Sequence, residues 1–345
     1  MKFKTISMLL LAGMLVACNN DEPTPSGGTA IQVKSEADRT ILIGAENGKV
    51  YNMKDGSVYA TLPGCSQIAN MTMHGEDYYV AGNSSDMGLT YWVNGEAVKQ
   101  NVSGNTYDIA RSFDNIYFLA VDTKAAIYRN GSRINETLDI GVPVALAANG
   151  ENFYAVGNEV QVPKLWTKSG VTDLDKGGTS AHATSIDLRA NSQGITHYIS
   201  GYKIATVNGI EITSPCLWRN GTLLTLPLNF TDQEKNNNVY RSGQGLDVAH
   251  LGQKTYVVGY RTDGVDRRAT VWISSTDDDD DVKTYWQADG NVDAKAQSVL
   301  VYGADVYVMT VERNRMTNTY CTRIWMNHEL KGTVNGIVGV DFVVI

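Results

Sequence analysis

Apolar and polar residues alternate along this chain in short bursts, and the bursts repeat. One phrase reads Tyr79-Val80-Ala81-Gly82, Tyr117-Phe118-Leu119-Ala120, Tyr154-Ala155-Val156-Gly157, Tyr198-Ile199-Ser200-Gly201, Tyr256-Val257-Val258-Gly259 and Tyr307-Val308-Met309-Thr310, with a weaker copy at Ile41-Leu42-Ile43-Gly44. Successive copies lie 38, 38, 37, 44, 58 and 51 residues apart. A second phrase follows each first one, as in Tyr91-Trp92-Val93-Asn94-Gly95, Ile127-Tyr128-Arg129-Asn130-Gly131, Leu165-Trp166, Leu217-Trp218-Arg219-Asn220-Gly221, Val271-Trp272 and Ile324-Trp325-Met326-Asn327. Asn-Gly after such a run predicts a tight hairpin, because both turn residues need positive φ. A third run precedes the Tyr phrase, over residues 68–73, 108–113, 144–148, 185–190, 246–251 and 298–302. Each unit therefore supplies strands A, B (the Tyr phrase), C (the Trp phrase) and D, the last exemplified by 97–102 and 223–226. No segment shows a helical period.

The two ends complement one another. The first unit has B, C and D but no A, while the chain finishes Gly339-Val340-Asp341-Phe342-Val343-Val344-Ile345, a strand A with no B after it. The pattern predicts an all-β, seven-bladed β-propeller of four-stranded antiparallel blades, closed by the C-terminal strand completing the N-terminal blade. Closure removes the open edges of a row of sheets, and the repeated Trp is expected to pack between blades. The Y-V-x-G … W-x-N-G repeat, over residues 40–345, resembles Bacteroidota-type lipoprotein propellers. That resemblance implies fold and not function.

The first residues read as an export signal. Lys2 and Lys4 precede an apolar run from Ile6 to Val16, too short to span a bilayer. The string Leu15-Val16-Ala17-Cys18 resembles a lipobox, which implies cleavage after residue 17 and a diacylglycerol on Cys18. Acyl chains anchor through about 0.8 kcal/mol per buried CH₂, so the expected partner is a membrane. Asn19-Asn20-Asp21-Glu22 resembles the surface-export signal of Bacteroidota lipoproteins, and the stretch from Pro23 to Gly28 reads as a flexible tether. The expected organisation is a signal over 1–17, lipidated Cys and tether over 18–39, and a propeller over 40–345, held at the outer membrane or cell surface.

The formal charge is −8, and loss of Lys2 and Lys4 makes it two units more negative. A net-acidic chain without a basic run argues against a nucleic-acid partner. Cys65, Cys216 and Cys321 are widely spaced with no CxxC, which excludes a disulfide framework or a zinc site. They read as small buried residues, a Cys216–Cys321 bridge remaining open.

The chain spends its length between B and C and between D and A, over 202–215, 229–241, 260–268 and 311–320. In a propeller these connections share one face, so a glycan or envelope-protein ligand is expected there, with Tyr202, Tyr260, Arg261 and Arg313 as contacts. Arg267, Arg268 and Arg315 join the two arginines as a patch suited to a carboxylated or sulfated ligand, or serve solubility. Nine residues before each B-strand Tyr stand Asn70, Asp108, Ala145, Asp247 and Ser298; Asp187 fits after a two-residue insertion, and Asp341 fits on the last strand. Such side chains would ring one mouth of the channel. They would offer oxygen ligands to Ca²⁺ or Mg²⁺, hydrogen-bond sugar hydroxyls, or accept N–H bonds from their own turns. No other cofactor is implied. A binding protein is the leading expectation; a carbohydrate-active hydrolase or lyase working through the four aspartates is the alternative. Asp277–Asp281 reads as a solvated C–D loop, and Ser84–Trp92 resembles one copy of the sialidase Asp-box with an extra residue before Trp.

Overall fold

The computed structural model describes residues 35–345 apart from 87, 135–140, 193, 230, 276–280 and 284–291. The residues read as an export signal, Cys18, the stretch read as a tether through residue 34 and Asp277–Asp280 lie outside the described residues. Seven four-stranded antiparallel sheets succeed one another in the order A, B, C, D. The A strands are Cys65–His74, Asn105–Ser112, Val142–Asn149, Ser180–Asn191, Ser242–Leu251 and Val292–Tyr302 in blades two to seven, and Gly339–Val344 in blade one. They adjoin one another around the axis.

The last strand closes the ring as expected. Ile41, Leu42, Ile43 and Gly44 pair with Val344, Val343, Phe342 and Asp341, and Thr40 and Ile345 exchange both backbone bonds, at 2.7 and 2.8 Å. Arg39 ties the entry to blade seven by donating to Asp305 Oδ2 and to the Tyr307 hydroxyl.

The repeated residues each have a local task. Asn94, Asn130, Asn220 and Asn327 take φ of 48 to 50° at the C–D turn. Each uses its side-chain oxygen to accept the N–H that opens its own B strand, from Tyr78, Ile116, His197 and Val306. Trp92, Trp218 and Trp272 are wholly buried between neighbouring blades. Their indole N–H groups donate to carbonyls of the preceding D–A link, at Pro63, Asp175 and Pro227. The glycine ending the B phrase is a close-approach position: a Cβ on Gly201 or Gly259 would lie 2.1 or 1.9 Å from the carbonyl oxygen of His182 or Gln244.

The stretches read as long loops are mostly strand. In blade five, Gly194–Val207 and Ile210–Arg219 form one long ribbon turning at Asn208-Gly209. Lys254–Thr262 with Arg267–Ser275, and Asp305–Asn314 with Thr319–Met326, do the same in blades six and seven. The alternating residues simply continue past the blade, as in Tyr202-Lys203-Ile204-Ala205-Thr206-Val207. The link from blade five to blade six carries one helical turn, Asp232–Asn237, begun by a capping box between Thr231 and Glu234. No described helix is long and apolar enough to cross a membrane. Cys65, Cys216 and Cys321 are all free, so Cys216 and Cys321 do not pair.

Candidate functional site

Every A strand carries a β-bulge, and the residue after it pairs with the third residue of the B phrase. In blade one Asp341 holds this place opposite Gly44, so the weak first copy aligns one residue later than the sequence suggested. The bulge brings Asn70, Asp108, Ala145, Ser185, Asp247, Ser298 and Asp341 to one level. Asp187 is not among them. The A–B hairpin of blade five is longer by two pairs, Ala190–Ile195 and Asn191–Gly194, which puts Ser185 at the ring and Asp187 two residues beyond it.

The ring does not stand at a mouth. Asn70, Asp108, Ser185, Asp247, Ser298 and Asp341 line both of two channel cavities, one of about 480 Å³ towards the A–B turns and one of about 120 Å³ towards the B–C face. They form the waist between them, because three to six residues of each A strand in blades two to seven precede the ring. The larger cavity lies on the face opposite the long ribbons and holds Arg111, Asp187 and His250.

The aspartates join blades. Asp108 accepts from the N–H of Ile109 at 2.7 Å and of Leu146 in the next blade at 2.6 Å. Asp187 accepts from Leu188 and from the N–H and Nδ1 of His250 in the next blade. Asp247 takes four bonds, from Val248, Val299, Ser185 Oγ and Ser298 Oγ. Asp341 takes the N–H of Met71 in blade two and shares the Ser298 hydroxyl group with Asp247, at 2.6 and 3.0 Å. The reading in which each Asp serves its own turn is thus half right: Asp108, Asp187 and Asp247 each accept one local N–H, and all four aspartates also reach a neighbouring blade.

Burial pushes Asp108 well above the usual carboxylate range despite two backbone N–H donors, with the Asp341 and Asp247 charges adding to the rise. Burial also raises Asp247 against its four donors. Burial and the adjacent Asp247 carboxylate push Asp341 up to about 7. Calcium fits this waist poorly, because amide N–H groups already point their positive ends at the oxygens a cation would need. Among the described residues no three His, Cys, Asp or Glu side chains converge as a metal's ligands.

On the ribbon face the predicted contacts separate. Arg261 is buried under the blade-five link, bonded to Leu228 O and Glu234, with its guanidinium 3.9 Å from the Tyr240 ring centre. It is a structural strut and not a surface contact. Tyr202 stacks on His182 at 5.0 Å, and Tyr260 lies under Arg267 at 5.6 Å; both are half-buried. Arg315 pairs with Asp266. Arg313 is exposed beside Tyr320 and donates through Nε to Asn318. Arg261 and Arg315 are thus committed to partners within the fold, while Arg267 and Arg313 come together. A cavity of about 290 Å³ gathers Arg267, Asp293, Lys295, Arg313 and Tyr320, with Glu46 also on its wall. Lys295 and Asp293 escaped the sequence reading. The signal was present: three residues before the ring stand Gln67, Asn105, Val142, His182, Gln244, Lys295 and Val338, and Lys295 alone is charged. The Asp-box resemblance falls in a B–C turn of blade two, where Asp86 accepts from Ser84 Oγ, Gly88 N–H and Lys99.

No family model matches the chain, and no curated sequence matches it. Among solved structures, a thermostable family-43 glycoside hydrolase is similar over 77% of this chain and 93% of its own, at 12% identity and a TM-score of 0.39. Apo AztD from Citrobacter koseri is similar over 89% and 98%, at 8% and 0.44. A further glycoside hydrolase is similar over 88% and 89%, at 10% and 0.32. These likenesses are too distant to bear on what this chain binds.

Proposed function

We propose that this protein is a non-catalytic binding protein of the cell envelope, tethered through a lipid on Cys18, that engages a glycan or envelope-protein ligand with the B–C/D–A face. One observation carries the choice against catalysis: all six oxygens of Asp108, Asp187 and Asp247 accept a backbone N–H, and Asp341 is tied to the Met71 N–H and to Ser298. A general acid must present its proton to a leaving group, and a nucleophile must present a lone pair. The raised Asp108, Asp247 and Asp341 favour the alternative, a hydrolase or lyase working at the waist. Backbone amides cannot rotate away from Asp108 and Asp247, however, so those oxygens stay committed.

The ribbon of blade five supplies the test of the face. Lys203 pairs with Ser214, so residues 204–213 can be replaced by an Asn-Gly turn without breaking the blade. The expected result is binding of envelope extract weakened by at least about tenfold with a single melting transition kept, lowered slightly by loss of the Thr179–Ile204 and Thr213–Ser242 bonds, read by pull-down and calorimetric melting. Full retention of binding would remove this face from consideration. The tether has its own test: Cys18→Ser is expected to abolish palmitate labelling and to move the protein from the membrane to the soluble fraction. A membrane-bound, unlabelled variant would contradict the lipid anchor.

A further inference from the structure

We propose that the cavity walled by Arg267, Asp293, Lys295, Arg313 and Tyr320 seats the carboxylate of an acidic sugar residue, a uronate in a glycan chain. The inference rests on the binding reading of the B–C/D–A face and names the ligand class for one place on it.

The cavity's charge is out of keeping with the chain. The protein carries a formal −8, yet three cations meet here. Arg267 is fixed: its Nε and Nη2 donate to Asp293 Oδ1 and Oδ2 at 2.9 and 2.6 Å, and its own backbone N–H reaches Oδ1 at 3.0 Å. That bidentate pair uses up Asp293. Arg313 has Nε on Asn318 at 2.8 Å, which leaves its outer guanidinium nitrogens directed away from that bond. Lys295 sits half-buried on the A strand of blade seven, between Asp293 and Ser298, and its ammonium has no hydrogen bond or ion pair among the described residues. The acidic groups facing it are the committed Asp293 and the exposed Glu46 on the wall.

An unpaired, partly desolvated ammonium beside a fixed guanidinium is an unfavourable arrangement on its own. Burial and Arg267 both disfavour its charged form. An incoming oxyanion removes the conflict, accepting from Lys295 and from the free edge of Arg313 or Arg267 together. The cavity's volume and its neighbours specify the rest of the ligand. About 290 Å³ accommodates a body of monosaccharide size. Tyr320 is 37% exposed on one wall, giving the C–H face of a pyranose an aromatic surface. Glu46, exposed and acidic, suits the hydroxyls of that ring and would repel a second carboxylate. A bare inorganic anion would use the cations but leave the aromatic wall and Glu46 idle.

Calorimetric titration of the purified protein with D-glucuronate, D-glucose and inorganic sulfate tests this, alongside the Lys295→Met and Arg313→Gln variants. Glucuronate is expected to bind at least about tenfold more tightly than glucose or sulfate, and Lys295→Met to lose at least about tenfold of that affinity. Lys295→Met removes an unpaired charge and keeps the stem's packing, so its melting temperature should hold or rise, which separates lost binding from lost folding. Glucose or sulfate binding as well as glucuronate overturns the proposal, as does a Lys295→Met protein with full affinity. Neither result touches the blade-five ribbon. An envelope ligand lost on trimming residues 204–213 but kept in Lys295→Met would sink the uronate seat and leave the face reading standing.

Discussion

Removal of Gly339–Ile345 is expected to leave a protein without a cooperative unfolding transition. The deleted strand is short but almost wholly inside: Phe342, Val343 and Val344 are 2%, 1% and 0% exposed. Burying each such side chain contributes about 1.5–3 kcal/mol, which sums to roughly 5–9 kcal/mol against a total domain stability of about 5–15 kcal/mol. The deletion also bares Leu42 and Ile43, both 0% exposed, and turns their strand into an open edge that invites aggregation. It removes Asp341, whose carboxylate binds blade one to blade two through the Met71 N–H. A graded control is Phe342→Ala, expected to cost about 3–5 kcal/mol and to lower the melting temperature while keeping a single transition. Calorimetric melts of the two variants beside the intact protein give the reading. A truncated protein melting within a few degrees of the intact one would mean that the ring is not held by its last strand.

The parts of the fold legible in the sequence are those whose chemistry is local. Strands B and C stand out because Asn-Gly can serve as a tight turn only where φ is positive at both residues, as at Asn220 and Gly221. The closing strand is legible for a similar reason: Asp341-Phe342-Val343-Val344 has the pattern of an A strand and no partner after it. The beginnings of the A strands are hidden by their bulges. In blade seven Val292-Asp293-Ala294-Lys295-Ala296 alternates regularly, with Val292, Ala294 and Ala296 buried. The bulge between Ala296 and Ser298 then reverses the phase. Reading backwards from Tyr307, the alternation seems to end at Ser298, and Asp293 and Lys295 fall into an apparent loop. The same arithmetic misplaced Asp187. Ser185 lies 13 residues before Tyr198, where the other ring residues of blades two to seven lie 9 before theirs. An insertion in a hairpin adds to both strands, so a shift of four was needed and not two. The long ribbons escaped although Asn208-Gly209 announces a hairpin tip, because no core residue beside it marks the flanking residues as strand.

The waist of the channel should make the protein most stable in mild acid, and Asp247 should be the single most costly carboxylate to remove. Asp247→Ala leaves the N–H groups of Val248 and Val299 without acceptors, along with two serine hydroxyls that can turn elsewhere. Each buried N–H left unsatisfied costs about 1–3 kcal/mol. Relief of the repulsion with Asp341 offsets part of this, and a net loss of about 3 kcal/mol is expected, a fall of roughly 5 °C in melting temperature. The pH dependence follows from proton counting. Ser298 Oγ lies 2.6 Å from Asp341 Oδ1 and 3.0 Å from Asp247 Oδ2. A hydroxyl has one proton to donate, so one of these two contacts needs a proton supplied by a carboxyl group. Asp341, pushed up to about 7 by burial and by Asp247, is the group that supplies it. Its folded-state value lies above the ordinary 3.8, so the folded ring holds a proton that the unfolded chain releases. The stabilisation is whole below that ordinary value and is lost as pH rises through about 7. Asp305, held low by its bond to Arg39, acts in the opposite sense and loses its contribution as pH falls below the ordinary carboxylate range. Stability is therefore greatest between these limits. Melting at about pH 5.5 is expected to exceed that at about pH 8.5 by roughly 3 °C, from about 2 kcal/mol of linkage. Asp341→Asn keeps a donor towards Ser298 and cannot ionise, so it should flatten this slope. A slope that survives unchanged in Asp341→Asn would show that the proton sits elsewhere.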